Sequence, residues 1–171
     1  MPEEHAVTEF KKLFEVLASA EVDFILIGGL AGIVHGLARN TYDMDLVYSR
    51  QIENLEKIVK ALKPFNPYLR GAPPGLPFLW DVKTLQRGLN FTLITTLGEI
   101  DLLGEAAGGG TYQDLLEHSF IGSFLGIECR CVSLQKLIVL KRAAGRPKDF
   151  EMLAQLEALL DEQENLKNEQ R

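Results

Sequence analysis

Two aspartates separated by one residue end an apolar segment, in the run TYDMDL at positions 41–46. Side chains alternate across a strand, so Asp43 and Asp45 point to one face, with their Cα atoms about 6.6 Å apart. Two ionised carboxylates at this distance repel each other, and the repulsion is stronger in a cleft of low dielectric constant. A divalent cation between them removes that penalty, and oxygen ligands at this spacing suit Mg²⁺ or Mn²⁺.

A third aspartate, Asp101, lies in the run EIDLL and faces away from its apolar neighbours Ile100 and Leu102. If its strand lies beside the first, three carboxylates converge, and such a set holds two metals that align an attacking oxygen and a leaving phosphate. The alternative is that Asp43 and Asp45 face solvent on an edge strand and that Asp101 sits beside a turn. Their combination with the upstream glycine pair favours a site.

The elements that must position these residues are helices and strands without strict alternation, which indicates an α+β (mixed α/β) fold with helices against a mixed sheet. Apolar spacing predicts helices over 7–18, 30–38, 51–62, 112–119, 133–144 and 148–163. Strands are predicted over 22–27, where Gly28 and Gly29 stop the run, and over 42–48, 89–96 and 98–105, with one bent strand or a hairpin over 123–133.

Three segments are predicted to lack regular structure. Residues 63–78 contain five of the seven prolines and are expected to form a loop, and loops of this length are usually functional or mobile. Residues 106–111 are glycine-rich and indicate a turn or mobile loop. The residues after 163 are polar, and we expect them to fray.

Composition narrows the class of protein. A length of 171 residues suits one domain, and a net charge of −6 argues against a protein that coats nucleic acid, although not against a small basic cleft. Cys129 and Cys131 share one strand face without a second ligand pair, which predicts free thiols in a reducing compartment. No apolar run has the length of a signal sequence or a membrane span, so we expect a cytoplasmic protein.

The run GGLAGIVHGLARNTYDMDL, together with the later IDL, resembles the signature of the nucleotidyltransferase superfamily with the polymerase-β-like fold. It is similar in particular to the small bacterial branch that includes AbiEii-type toxins of toxin–antitoxin pairs, where a His-Gly, an Arg and a Thr commonly precede the Asp-x-Asp. The resemblance covers residues 20–105 well and residues 133–155 less well. It implies a nucleotidyltransferase core over 1–132 and a C-terminal helical segment over 133–171 packed on it.

The resemblance implies an enzyme that uses Mg²⁺ or Mn²⁺ to move a nucleoside monophosphate from an NTP to an acceptor, which could be an RNA end, a protein or a small molecule. Asp43 and Asp45 would hold the metals, and Asp101 would ligate one and help to deprotonate the acceptor hydroxyl. Gly28 and Gly29 would let backbone amides approach the phosphates. Many relatives have Ser at the second position, so Gly29 lacks one hydroxyl.

Three more side chains are candidates for nucleotide binding. Arg39 offers a fork of donors suited to phosphate, and the alternative is a surface ion pair with Asp43. Thr41 could cap or orient the turn before the acids. Lys141 continues the apolar stripe of the 133–144 helix, so it must either snorkel at the helix end or reach into a cleft to bind phosphate.

For several other polar and aromatic residues, the sequence is compatible with both a structural role and a role in the site. His35 is either a structural histidine or a site residue, and Phe78 and Trp80 either stack a base or form a satellite core. Lys148 and Asp149, in the run GRPKDFEML, look like the Lys-Asp segment of toxin-like relatives, although a cap and a solvated charge would explain them equally. Those relatives often have another Asp where this chain has Met152.

Two competing hypotheses concern function. The chain could be a non-catalytic interaction protein of the same fold that acts through a partner, such as an antitoxin-type protein in a toxin–antitoxin pair. A Rossmann-type dinucleotide binder is disfavoured because Ile27 stands where the G-x-G-x-x-G pattern needs a glycine. Little length remains for an acceptor-binding domain, so a small acceptor, a partner chain or a homodimer is expected to complete the cleft.

Overall fold

A computed structural model of the protein describes residues 8–170 and contains one large sheet with helices packed around it. Its strands are β1 (Phe24–Ile27), β2 (Asp43–Tyr48), β3 (Tyr68–Leu69), β4 (Asn90–Thr95), β5 (Gly98–Leu103), β6 (Glu105–Ala106), β7 (Gly110–Thr111), β8 (Ser119–Phe124) and β9 (Ile127–Val132). Its helices are α1 (Phe10–Ser19), α2 (Gly28–Val34), α3 (Ile52–Leu62), α4 (Val82–Arg87), α5 (Tyr112–Leu116), α6 (Leu134–Ala144) and α7 (Asp149–Glu169), with a 3-10 turn at Lys63–Phe65.

The main sheet has seven strands in the order β3-β4-β5-β2-β1-β9-β8, and β6 pairs with β7 in a separate hairpin. The pairs β2–β5 and β1–β9 are parallel and the other pairs are antiparallel, which makes the sheet mixed. In the β2–β5 pair, Asp45 lies opposite Asp101. The topology therefore places the two acidic strands side by side, although α3, β3, α4 and β4 lie between them in the chain.

Alternation along β2 and β5 separates an apolar face from an acidic face. Met44, Leu46, Ile100 and Leu102 are fully buried, whereas the acids between them are half-buried. The apolar residues belong to the same core as the inward side chains of α1 and α3, which are Leu13, Phe14, Leu17, Leu55, Ile58 and Leu62. Burial of this face fixes the strand register, and the register in turn fixes where the acids point.

Several predicted elements are confirmed. The helix over 51–62 is α3, and the helix over 133–144 is α6, which begins after the Ser133 cap and ends where Gly145 adopts φ 63°. The strands over 42–48, 89–96 and 98–105 correspond to β2, β4 and β5. Residues 123–133 form a hairpin and not a bent strand, because Leu125 and Gly126 both have positive φ and turn the chain back.

The helix predicted over 30–38 is displaced. It begins at Gly28, because this glycine takes φ 70° immediately after β1, and it ends at Val34, shortly before Gly36 with φ 111°. The first predicted helix begins at Phe10 instead of residue 7, and Val7 lies outside the described residues. The helix predicted over 112–119 ends at Leu116, because the chain enters β8 at Ser119.

The segments predicted as irregular contain more structure than expected. Residues 63–78 include the 3-10 turn and the edge strand β3, which pairs with β4. Residues 106–111 complete the β6–β7 hairpin. The last helix does not fray at residue 163 but continues to Glu169, in keeping with the high helix propensity of its Glu, Gln, Leu and Lys residues. Helix α4 was not predicted; the Asp81 carboxylate caps it by accepting from the Thr84 amide at 2.8 Å.

Within residues 8–170, no helix combines the length and the apolar character needed to cross a bilayer.

Candidate active site

Three carboxylates converge on the acidic face of the sheet. Asp43 and Asp45 project from β2 and Asp101 projects from the neighbouring β5, and one carboxylate oxygen of each lies within 4.8 Å of the others. The convergence predicted from strand alternation is therefore present. Three oxygen donors at this separation form a ligand set that fits a hard divalent cation such as Mg²⁺ or Mn²⁺.

Burial and like charge act together on these acids. Removal from solvent is the largest cause, and together with the neighbouring charge of Asp43 and contact with Asp101 it raises the pKa of Asp45 to about 9. Burial also raises the pKa of Asp101, although the positive charge of Arg70 opposes that change. Keeping all three groups ionised thus costs free energy unless a cation approaches them.

The glycine pair makes room for the acids and for Thr41. A Cβ on Gly28 would collide with the Asp45 carboxylate, and the positive φ of Gly28 independently favours glycine. A Cβ on Gly29 would lie 2.9 Å from Thr41 Oγ1. The Thr41 hydroxyl itself donates a long bond of 3.3 Å to the Asp43 carbonyl. The pair is therefore explained in part by packing around the acidic strand.

A cavity of about 330 Å³ opens between the acids and the C-terminal end of α6. Asp45 and Asp101 line one side, and Leu137, Leu140 and Lys141 line the other. A larger groove of about 750 Å³ lies between α1 and α3, but it contains none of the three carboxylates. The smaller cavity is therefore the one in which the acids could act on a bound molecule.

Two cations on the far side of this cavity are held by one buried carboxylate. Lys141 Nζ lies 3.3 Å from Asp149 Oδ1, and Arg146 Nε donates to Asp149 Oδ2 at 2.7 Å. Burial alone would raise the pKa of Asp149, but the hydrogen bond from Arg146 and the charge of Lys141 lower it overall. Lys141 and Arg146 both line the cavity, so Lys141 reaches into the cleft and does not extend away from it.

Arg39 lies outside the set of residues that line this cavity. Its Nε is buried and has no hydrogen-bond partner within residues 8–170, and no ion pair joins it to Asp43 there. The surface ion pair considered as an alternative is therefore absent from the described chain. A buried guanidinium nitrogen without an acceptor leaves a donor available to a ligand.

Three of the residues with open roles, His35, Phe78 and Trp80, make structural contacts. His35 Nε2 lies 2.8 Å from the Val132 carbonyl oxygen, which joins α2 to β9. Trp80 Nε1 donates to the Val59 carbonyl at 3.0 Å, and Trp80 and Phe78 pack against the core as a satellite cluster. Lys148 is exposed and makes no side-chain cap for α7.

Two other features of the sequence also have structural explanations. Met152 is buried, and its methyl group packs against Gly32 of α2. Cys129 and Cys131 are buried free thiols, and burial raises their pKa to about 11 and about 12 respectively.

Sequence analysis missed Arg70, the cation that contacts the acidic cluster directly. Arg70 donates from a terminal nitrogen to Asp101 Oδ1 at 2.8 Å. It lies in the proline-rich segment, where no periodic pattern predicts a facing direction. Asn90 and Thr92 of β4 were also missed, although both line the cavity. Thr92 pairs with Asp101, and alternation along β4 could have indicated that Asn90 and Thr92 share one face of the strand.

No model of a known protein family matches the chain, and no curated protein sequence matches it. Solved structures do match it. The lincosamide antibiotic adenylyltransferase LnuA, solved with lincomycin, superposes with a TM-score of 0.59 at 15% identity, covering 90% of this chain and 98% of LnuA. The Thermotoga maritima protein TM1012, provisionally assigned as a nucleotidyltransferase, superposes with a TM-score of 0.53 at 15% identity, covering 95% of this chain and 99% of that one.

A third structure, ANT(2")-Ia in complex with adenylyl-2"-tobramycin, superposes with a TM-score of 0.54 at 15% identity and covers 88% of this chain and 91% of its own. None of these three carries an AbiEii-type assignment, so that finer resemblance stays a prediction. The expected fold is confirmed: the chain has the mixed α/β fold of nucleotidyltransferases.

Proposed function

We propose that this protein is a metal-dependent nucleotidyltransferase that moves a nucleoside monophosphate from an NTP to a hydroxyl group of a small molecule. The observation that carries the proposal is the convergence of three carboxylates within 4.8 Å of one another, two of which, Asp45 and Asp101, line a cavity. A structural role would not require like charges to be gathered and partly buried, since their repulsion opposes folding. A cation-binding role does require it.

Asp43, Asp45 and Asp101 are the residues that would hold Mg²⁺ or Mn²⁺, which neutralises charge on the triphosphate and on the attacking oxygen. The acceptor oxygen forms a bond to the α-phosphorus while the bond to the bridging oxygen breaks, so pyrophosphate leaves. Asp101 would accept the proton of the acceptor hydroxyl at its carboxylate. Positioning and charge compensation are the main contributions of the protein to such a reaction.

The remaining candidates act on the nucleotide. Lys141 and Arg146 face the acids across the cavity, so a polyphosphate between the two walls would be bound by cations on one side and by metal ligands on the other. Asp149 keeps both cations at this position. Gly28 and Gly29 bring the backbone against Asp45 and Thr41, and the amides of the pair would contact the phosphates together with Arg39 and Thr41, which lie before the acidic strand.

The proposed acceptor is a small molecule because the cavity beside the acids is about 330 Å³. Of the structures with the same fold, LnuA is a lincosamide antibiotic adenylyltransferase with lincomycin bound, and ANT(2")-Ia is in complex with adenylyl-2"-tobramycin. A role in a toxin–antitoxin pair, with a macromolecular acceptor and a protein partner, is supported only by the sequence resemblance.

The decisive experiment is incubation of the purified protein with each NTP labelled at the α-phosphate, Mg²⁺ and a panel of hydroxyl-bearing antibiotics and metabolites. We expect transfer of label to one class of small molecule with release of pyrophosphate, and no transfer by Asp45→Asn. If label transfers only to RNA or protein, the small-molecule acceptor is wrong. If no NTP binds or reacts in any mixture, including crude cell extract, the non-catalytic interaction protein is the better description.

A further inference from the structure

We infer that Arg70 is a positioning residue for Asp101: it binds the Oδ1 atom of that carboxylate and leaves the other oxygen free to face the cavity. The inference rests on the proposed function, because it concerns the third acid of that site. Arg70 Nη2 donates to Asp101 Oδ1 at 2.8 Å, and Asp101 itself lines the cavity. Within residues 8–170, no other side chain forms an ion pair with any of the three acids.

Three strands fix the position of Arg70: the residue follows β3 directly, and its hydrogen bonds reach β4 and β5. The backbone amide of Arg70 donates to the Thr92 carbonyl at 3.0 Å, which continues the pairing of β3 with β4. Its side chain crosses β4, where Nη2 also donates to the Leu93 carbonyl at 2.8 Å, and then reaches Asp101 on β5. Backbone bonds therefore set the position of Arg70, and Arg70 sets the position of the carboxylate.

A second carboxylate keeps the charge of Arg70 in place. Glu99 lies two residues before Asp101 on the same face of β5, and its Oε1 is 3.7 Å from Arg70 Nε. The side chains of Arg70 and Asp101 are 25% and 19% exposed, so solvent screens this ion pair only in part. Arg70 is thus held between two acids of one strand, at the edge of the acidic cluster.

Arg70 acts through Asp101 and not on the substrate. Lys141 and Arg146 line the cavity, whereas Arg70 does not. Asp101 faces repulsion from Asp43, and a carboxylate with two rotatable bonds would otherwise turn away from it. A partner that orients a ligating carboxylate commonly changes metal affinity or activity by about 10–100-fold when it is removed.

The test compares Arg70→Met with Arg70→Lys in three measurements: Mn²⁺ affinity without nucleotide by electron paramagnetic resonance, kcat, and KM for the NTP. For Arg70→Met we expect Mn²⁺ affinity and kcat to fall about 10–100-fold, while KM changes less than about threefold. Arg70→Lys should recover part of the loss, because an ammonium can bond the Asp101 oxygen but lacks the planar fork that also reaches Leu93. Circular dichroism verifies that each variant is folded.

Arg50→Met is the matched control. Arg50 also bridges elements, by donating to the Tyr48 hydroxyl and to the Leu85 and Gln86 carbonyls, but it contacts none of the acids. We expect Arg50→Met to lower the unfolding midpoint and to leave Mn²⁺ affinity unchanged.

Three outcomes would overturn the inference. If Arg70→Met loses stability but keeps wild-type Mn²⁺ affinity and kcat, Arg70 is only a structural residue. If KM rises while kcat and Mn²⁺ affinity stay the same, Arg70 binds the nucleotide. If the wild-type protein binds no Mn²⁺, the proposed function fails together with the inference, and this result is distinguishable from the other two.

Discussion

Strand β2 carries a polar cluster at each end, and the two clusters are built on opposite principles. At its C-terminal end, the Tyr48 hydroxyl donates to the Leu89 carbonyl at 2.8 Å and accepts from Arg50, which also bonds two carbonyls of α4. Donors there are matched to acceptors from the same chain. At the N-terminal end, Asp43 and Asp45 face another acid, Asp101, and like charges are gathered together.

This difference separates a structural cluster from a binding cluster. A matched network stabilises the fold by itself, because each buried polar group is compensated within the protein. A cluster in which burial raises the pKa values of Asp45 and Asp101 lowers stability until something outside the chain compensates it. The comparison predicts that substitutions in the two clusters affect different properties, activity in one and stability in the other.

The largest expected effect is on catalysis. Asp45→Asn and Asp43→Asn should each lower the rate of nucleotidyl transfer by on the order of 10³-fold, because a neutral amide cannot replace an anionic ligand. Release of pyrophosphate in the presence of Mg²⁺ measures the rate, and a far-ultraviolet spectrum like that of the wild type shows that the fold is intact. Wild-type activity in both variants would contradict the proposed site.

The structural cluster should show the reverse pattern. Arg50→Met removes bonds to the Tyr48 hydroxyl and to two carbonyls, so we expect the free energy of unfolding to fall by about 2–3 kcal/mol. Urea denaturation measures this loss, and the transfer rate per folded molecule should stay within about twofold of the wild type. A large loss of activity without loss of stability would erase the distinction between the clusters.

Metal-free stability should depend on pH through Asp45. The folded protein holds a proton on this group up to about pH 9, whereas the unfolded chain releases it near pH 4. The folded state therefore binds more protons between these values, and stability falls as pH rises through that window. The slope for one group is at most about 1.4 kcal/mol per pH unit.

Urea denaturation in EDTA at pH 6 and pH 8 tests this dependence. The wild type should be about 1–2 kcal/mol less stable at pH 8, and Asp45→Asn should lose most of that difference because its amide does not ionise. Saturating Mg²⁺ should restore stability to the wild type at pH 8 but not change Asp45→Asn. Parallel pH profiles for the two proteins would show that Asp45 is not the group responsible.

The smallest predicted effect concerns the glycine pair. Serine at position 29 would place its Cβ 2.9 Å from Thr41 Oγ1, so Gly29→Ser should lower stability by about 1 kcal/mol. In a Gly29→Ser, Thr41→Ala double variant the crowding hydroxyl is absent. We expect this variant to be about 0.5–1 kcal/mol more stable to unfolding than the sum of the two single changes predicts. Additive effects would show that Thr41 does not restrict residue 29.

The acids could be located from the sequence because apolar and acidic residues alternate along each strand, and this local pattern is visible in the sequence itself. It fixed the shared face of Asp43 and Asp45, but the approach of Asp101 depended on β2 and β5 being neighbours, which is set by the order of the whole sheet. Arg70 could not be found in this way. Its role depends on an edge strand of two residues in a proline-rich segment, where neither period nor propensity indicates a direction.

The errors in the helices have a similar origin. Helix α4 has six residues and one fully buried side chain, Leu85, so it presents too little apolar pattern to be recognised. The residues after 163 were predicted to fray because they are polar, yet intrinsic propensity is sufficient to continue a helix that packing has already nucleated. Local sequence patterns therefore do not predict which distant strands pair, and they do not reveal short helices that are held by a cap.

The central claim is that Asp43, Asp45 and Asp101 together bind a divalent cation. Its most direct test is a titration of the wild-type protein with Mn²⁺, followed by electron paramagnetic resonance, with Asp45→Asn and Arg50→Met measured in parallel. The account predicts saturable binding by the wild type and by Arg50→Met, and affinity reduced by at least about tenfold in Asp45→Asn. Equal affinity in all three proteins, or no saturable binding by the wild type, would contradict it.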